Sequence, residues 1–392
     1  MAIQDQTINE LVLSTNAYAT NEKPIDMYDA MFNNFPELTP LVSILTKLSS
    51  EEFANSRIDW IEKETLPSQV VVTASATATE ATLTITDHYT YLRNHDFLFN
   101  PLTFELIKVE GFATIDASVD VVRGWGSTTG TAIVAGSVLE IATNSYFEGS
   151  EEANPRSVVN TQFHNFTAEI HESVRTSKRV QNERTYFGGK GTKRLENQTD
   201  MFRSFKEKLE KALLFSYRAD VASTESGKTS QNIKTMEGIV SKLRNGTNFL
   251  DVNGVFTESI FDDWLTDIYT NMPDTNMLTA FCAPHVYKTI NRRAKPSIRI
   301  STNQEVYGMK LKRYEGAIDV DLISHPMLQG AMSGWMFLLD LSRVKILYQQ
   351  RPQLELDVAM KRYNYVEDKY SAFITMIVAN EIRHAMAVNI EG

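Results

Sequence analysis

Thr199-Asp-Met-Phe-Arg-Ser-Phe-Lys-Glu-Lys-Leu-Glu-Lys-Ala-Leu-Leu-Phe-Ser-Tyr-Arg-Ala-Asp220 switches the hydrophobic period of this chain to steps of three and four. Phe202, Phe205, Leu209, Ala212 and Leu213 form one stripe, the signature of an amphipathic helix. Thr199 or Asp200 is placed as N-cap, since a short polar side chain can accept a hydrogen bond from a first-turn amide. The other face carries Lys206, Glu207, Glu210 and Lys211, which reads as solvated, with four-residue charge pairs worth tenths of a kcal/mol. At 1.5 Å per residue the helix spans about 30 Å, enough to cross a small domain.

Upstream, the pattern is β. Arg57-Ile-Asp-Trp-Ile-Glu62 alternates polar and apolar, as a half-buried strand does. From Val70 to Thr143 the chain is rich in Thr, Val, Ala and Ile, with alternation in Thr82–Thr86 and Glu105–Val109 and turns at Gly124-Trp-Gly126 and Gly130. This predicts a separable small β module. Gln162 to Val174 reads as one further long strand, and Gly188-Gly-Lys-Gly191 breaks the pattern. Residues 1 to about 35 hold scattered anchors, Leu11, Leu13, Tyr18, Met27, Tyr28, Met31, Phe32 and Phe35, too dispersed for a local core. Pro36 and Pro40 stop any helix there.

Downstream, Ser223 to Ser230 reads as a loop, Met236 to Leu243 and Thr257 to Asn271 as helices, the latter capped by Thr257. Mixed structure continues to about 345. Arg343–Tyr348, Arg351–Leu356, Lys369–Ala379 and Ala385–Ile390 then form a closing series of strands. The fold class is α+β.

Composition narrows the function. The 392 residues hold 39 Lys plus Arg against 49 Asp plus Glu, a net charge of −10, which excludes the balance typical of nucleic-acid binding. With 42% hydrophobic and 22% charged residues the chain is an ordinary folding sequence. Cys282 is the only cysteine, so an internal disulfide and thiolate zinc sites are excluded and synthesis in a reducing compartment is expected. Met1-Ala-Ile-Gln-Asp5 lacks the basic start and apolar run of a secretory signal. Phe373–Ala379 and Trp335–Leu339 fall well short of the ~20 residues that cross a bilayer, so a soluble protein without a membrane partner is expected.

Chemical motifs are broken. Glu225-Ser-Gly-Lys-Thr229 imitates the end of a phosphate-binding loop, but position 222 is Ala where the motif needs Gly, and a charged helix precedes it instead of a buried strand. His171-Glu-Ser-Val-Arg175 imitates a zinc-protease helix with Arg in place of the second histidine, and a guanidinium cannot ligate zinc. The pairs His88/His95 and His164/His171 are seven apart, which points them to opposite faces of a strand. Cys282 lies three residues before His285, whereas Cys-His catalysis uses spatial neighbours, so a small buried residue is expected. Arg292-Arg-Ala-Lys295 lacks interleaved aromatics and reads as a surface or inter-subunit charge cluster. No catalytic, cofactor-binding or metal residue is assigned, and no cofactor is expected.

Read in chain order, several stretches resemble one family. They are Pro36–Pro40 with Leu41-Val-Ser-Ile-Leu45, Arg57–Glu62, Val121–Leu139 with its Gly-Trp-Gly, Glu148-Gly-Ser150, Asn160-Thr-Gln-Phe163, Lys206–Leu214, Met236-Glu-Gly-Ile239, Tyr307–Leu311, Phe337-Leu-Leu-Asp340 and Gln350-Arg-Pro352. Their order and spacing resemble the major capsid proteins of tailed phages with the Hong Kong 97-type fold, in the subgroup carrying a β insertion in its extended loop.

The resemblance implies an N-terminal arm at 1–45, an extended loop at 46–79 and 145–190, a β insertion module at 80–144, a peripheral domain at 191–230 and 346–392 with the spine helix, and an axial domain at 231–345. It implies a structural protein, not an enzyme, that self-assembles through hexameric and pentameric capsomers into an icosahedral shell enclosing double-stranded DNA, found in the virion and assembled in the host cytoplasm. No long helical segment precedes the arm as a fused scaffold would, so a separate scaffolding protein, or none, is expected. Portal and decoration proteins are further implied partners, and packaged DNA is touched only weakly. The competing readings are an encapsulin-like nanocompartment shell and a P-loop-type nucleotide-binding enzyme.

Overall fold

The computed structural model describes residues 39–391 apart from 49, 64–65, 86–88, 115–117, 151–155, 159, 184–191, 226–227, 229–230, 272–273, 275–276, 294–297, 307–308 and 360–362. The dispersed anchors from Leu11 to Phe35 lie outside the described residues. Two units divide the rest, one of residues 39–58 and 165–391 and one of residues 59–164.

The larger unit is organised by helices α1 (Pro40–Leu48), α2 (Lys178–Asn182), α3 (Thr192–Phe215), α4 (Ile239–Leu243), α5 (Glu258–Asn271) and α6 (Pro284–Arg293). Pro40 opens α1, a position that tolerates proline because a first-turn amide has no intrahelical partner. The long helix is α3, with 24 residues and a length of about 36 Å. It begins at Thr192, ahead of the expected caps Thr199 and Asp200, and ends at Phe215 instead of running to Asp220. The extra turns rest on partners that local periodicity does not reveal: Lys193 pairs with Glu196 at 2.7 Å, and Arg194 and Gln198 both donate to Asp368. Its buried stripe is Met201, Phe205, Leu209, Glu210, Leu213 and Leu214. Glu210, assigned from the sequence to the solvated face, is therefore a core residue. Phe202 is only partly buried, against Tyr370 with Lys206 over its ring.

A four-stranded sheet packs on α3, in the order Ser50–Glu52, Val344–Glu355, Tyr365–Val378, Ala168–Ser177. The segment expected as one strand from Gln162 to Val174 is two, Thr161–Phe166 and Ala168–Ser177, which belong to different sheets. The sheet change follows the hydrogen bonds: the Thr167 amide donates to Ser56 O at 3.0 Å, and the next residue, Ala168, pairs with Ile374.

A mixed seven-stranded sheet runs in the order Phe249–Val255, Ala385–Glu391, Met336–Leu339, Met277–Cys282, Asp319–Ser324, Met309–Tyr314, Ile298–Val306. Its central strands are near-continuous apolar runs, as strands covered on both faces must be. The closing strand Ala385–Glu391, grouped from the sequence with 346–392, pairs here with Phe249–Val255 and Met336–Leu339. Its buried Ala385, Met386, Ala387, Val388 and Ile390 complete the seven-stranded layer. Thr257 caps α5 as read from the sequence, its Oγ1 accepting from the Ile260 amide at 3.3 Å.

The smaller unit is a six-stranded antiparallel sheet in the order Gln69–Val71, Val138–Asn144, Asp96–Asn100, Glu105–Thr114, Ser118–Val122, Thr82–Thr84, with its own core of Val70, Val72, Leu83, Ile85, Leu98, Ile107 and neighbours. Because Val70 and Val72 belong to that core, the sheet starts at Gln69 and not at the expected boundary of residue 80. Glu105 ties its glycine-rich turn together. The fully buried carboxylate accepts from Arg123 Nε and Nη2, both at 2.8 Å, and from Gly124 N and Thr131 N. Gly124 has φ +59°, and a Cβ there would stand 2.8 Å from Gly130 N, so only glycine fits the turn. Arg57–Glu62 and Thr161–Phe166 pair with each other as a two-stranded ribbon.

Candidate functional site

The sequence motifs that imitate catalytic sites fall apart in space. Lys228 is exposed, pairs with Glu225 at 3.1 Å and follows the exposed strand Ala219–Ala222. Ser226, Gly227 and Thr229 lie outside the described residues. Cys282 is fully buried, where desolvation pushes its thiol far above the ordinary range, while His285 faces solvent. His171 sits beside Glu169, and Arg175 holds Glu367 at 3.1 Å with its guanidinium over the Tyr365 ring. His95, expected in a strand, occupies a turn at φ 72° between the rings of Tyr146 and Phe147, and His88 lies outside the described residues. Arg292 is exposed near the end of α6, and Lys295 lies outside the described residues. Among the described residues no three His, Cys, Asp or Glu side chains are grouped to hold a metal, and no helix is long and apolar enough to cross a membrane.

Polar groups instead converge where elements distant in sequence must be held. The principal junction is built on Glu210. Its Oε1 accepts from the Leu41 amide at 2.8 Å and its Oε2 from the Val42 amide at 2.7 Å, the first free donors of α1. His325 Nε2 lies 2.7 Å from Oε1, and both side chains are wholly buried. His325 is itself fixed, since its backbone amide donates to Cys282 O and its Nδ1 accepts from Met327 N. One carboxyl group thus joins α1, α3 and the loop after Asp319–Ser324. The junction sets the position and direction of the chain at Thr39 and Pro40.

Asp368 makes the equivalent joint at the other end of α3, accepting from Arg194, Gln198 and the Asp357 amide. Burial pushes its carboxyl upward, and these hydrogen bonds together outweigh burial and hold it below the usual range. Glu105 shows the same balance, burial opposed by bonds from Arg123, Thr131 and Gly124, with a net depression. His384 is neutral by construction: Nδ1 accepts from Asp340 N at 3.2 Å, Nε2 donates to Ala379 O at 3.1 Å, and burial lowers its pKa to about 4.

None of these groups faces open space in which a substrate could react; they join and orient. Sequence reading missed Glu210 because the count of charged positions placed it outward. The usable signal was its spacing, since Leu213 and Leu214 follow at three and four residues and put it on the buried stripe. His325 and Asp368 carry no local signal.

Residues 7–391 match the family described as SU10 major capsid protein. No curated protein matches the chain as a relative. Among solved structures, the capsid of a native GTA particle shares 9% identity over 97% of this chain and 100% of its own, with a TM-score of 0.52. The structure from Gordonia phage Cozz shares 10% identity over 100% of this chain and 99% of its own, with a TM-score of 0.50. At these identities the likeness is one of fold.

Proposed function

The chain belongs to the SU10 major capsid protein family, and from that premise we propose how it builds a head. As a major capsid protein it is a structural component of the virion, associates with copies of itself and is not an enzyme. The shell it forms is icosahedral, made of hexameric and pentameric capsomers around double-stranded DNA, and is assembled in the host cytoplasm. Residues 1–38 act as an arm on neighbouring subunits, whereas Leu41, Ile44 and Leu45, at the end of the arm expected from the sequence, are buried in the subunit's own core. The chain on either side of the six-stranded unit serves as the extended loop and that unit as its β insertion. The segment 191–230 with the strands to Val378 forms the peripheral domain, and the seven-stranded layer forms the axial domain at the capsomer centre. Scaffolding, portal and decoration proteins are separate chains that meet this shell. DNA contact is weak, in keeping with a net charge of −10, because a strongly basic lining would hold phosphate and resist packaging.

The observation that carries this arrangement is the Glu210 junction. A buried carboxyl group spent on the first two amides of α1 anchors the start of the body firmly, which lets a preceding arm exert force on a neighbour without unravelling its own subunit. Each arm side chain fully buried on a neighbour contributes about 1.5–3 kcal/mol. Removal of residues 1–35 is expected to leave the thermal transition of the subunit nearly unchanged in calorimetry and to abolish or misdirect shells in electron micrographs. Normal shells from the truncated protein would refute the role of the arm, and an unfolded truncated subunit would show that the segment packs on its own body.

A further inference from the structure

The strands Ala219–Ala222 and Asn232–Thr235 form a two-stranded sheet of their own at the C-terminal end of α3. Four-residue strands in isolation are marginal in water, and a hairpin on a protein surface ordinarily turns its apolar side inward. This one leaves its apolar cross-strand pair in solvent. Asp220 and Lys234 are opposite each other, as are Ala222 and Asn232. On that face Lys234 alone reaches the body, its Nζ 3.0 Å from Ser56 Oγ and over the ring of Phe166, while Asp220, Ala222 and Asn232 are exposed. Its polar groups are satisfied within the hairpin, Asn232 donating to Asp220 at 2.7 Å. The alternate face presents Val221 directly across from Ile233, 61% and 59% exposed, and Tyr217 just before the strand is 53% exposed.

We propose that the Val221 and Ile233 face of this hairpin is a contact surface for a second copy of this chain in the assembled shell. The proposal rests on the capsid function, which supplies a second copy at high local concentration as the occupant. Charge favours it as well: the flanking Asp220 and Lys234, 4.0 Å apart, and Glu225 and Lys228, 3.1 Å apart, are of opposite sign, so the apolar face can be covered without stripping water from a lone charge or meeting a like-charged twin.

Cysteine labelling tests it, because Cys282 is wholly buried and leaves a clean background. In full-length Ile233→Cys, a maleimide should modify the thiol at position 233 readily in unassembled subunits and about tenfold or more slowly in purified shells, since thiol reactivity follows exposure. In a second variant, Ile233→Asp, the subunit should keep its thermal transition and fail to form closed shells. Equal labelling in subunits and shells, or normal shells from Ile233→Asp, would overturn the proposal. Protection that arises only when another virion protein is added would also overturn it. A wild-type protein that forms no shells at all would instead refute the capsid function on which the proposal rests.

Discussion

Replacing Glu210 by leucine removes one acceptor group and strands three buried donors, the amides of Leu41 and Val42 and the Nε2 side of His325. A buried donor left without its partner costs about 1–3 kcal/mol, and breaking a buried polar pair by deleting one side costs about 3–5 kcal/mol. These figures overlap, since His325 is counted in both, and the expected loss is about 3–5 kcal/mol. That is a large fraction of the roughly 5–15 kcal/mol that stabilises ordinary domains. Glu210→Gln keeps one carbonyl acceptor but turns an NH2 group toward a donor, and should cost about 1–2 kcal/mol. Urea denaturation of the unassembled subunit measures the total. Amide hydrogen exchange at Leu41 and Val42 reports the junction itself, and both amides should lose protection in Glu210→Leu even under conditions where the subunit stays folded. A loss under about 1 kcal/mol with unchanged exchange at these two amides would refute the view that this carboxyl group anchors α1.

The depressed pKa of His384 makes stability pH-dependent with a defined sign: the unfolded chain binds a proton near the ordinary value of 6.5 and the folded chain only near about 4, so stability should fall by about 3 kcal/mol as pH drops across that interval. This slope in the urea midpoint should vanish in His384→Gln. Glu105 and Asp368, whose carboxyls are held low, add stability above their ordinary values of 4.5 and 3.8 and lose it only at lower pH, which separates the two windows. Glu105→Ala leaves Arg123, only 5% exposed, without its buried partner and should destabilise the six-stranded unit by about 3–5 kcal/mol, seen as selective loss of exchange protection at Val109 and Val121. Excising residues 69–144 behind a Gly/Ser linker should leave a folded larger unit, whereas excising 80–144 strands the Val70 and Val72 strand and should lower solubility; equal behaviour of the two deletions would place the boundary elsewhere.

Local periodicity made much of this fold legible. Phe205, Leu209 and Leu213 of the α3 core, the Thr257 cap and the alternation of Arg57–Glu62 appear where the period placed them. What stayed hidden depends on long-range partners. Thr192 to Thr199 is helical because Arg194 and Gln198 reach Asp368 some 170 residues away. Glu210 reads as a surface charge until Leu41 and Val42, 169 and 168 residues earlier, bring their amides to it. The Ala385–Glu391 strand has the same apolar character as its predecessors, and nothing in its composition tells which sheet will take it. Among the candidate sites, the broken motifs were readable as broken because ligand chemistry demands definite residue types. The apolar outer face of Val221 and Ile233 was not, since the period of two does not say which side faces the body.

The most direct measurement is electron cryomicroscopy of the purified full-length protein after assembly. The account predicts closed icosahedral shells whose subunits show the α3 helix and both large sheets of the larger unit, with density of each subunit's residues 1–38 lying on a neighbour. Discrete small oligomers that never close, under conditions where the subunit is folded, would contradict it.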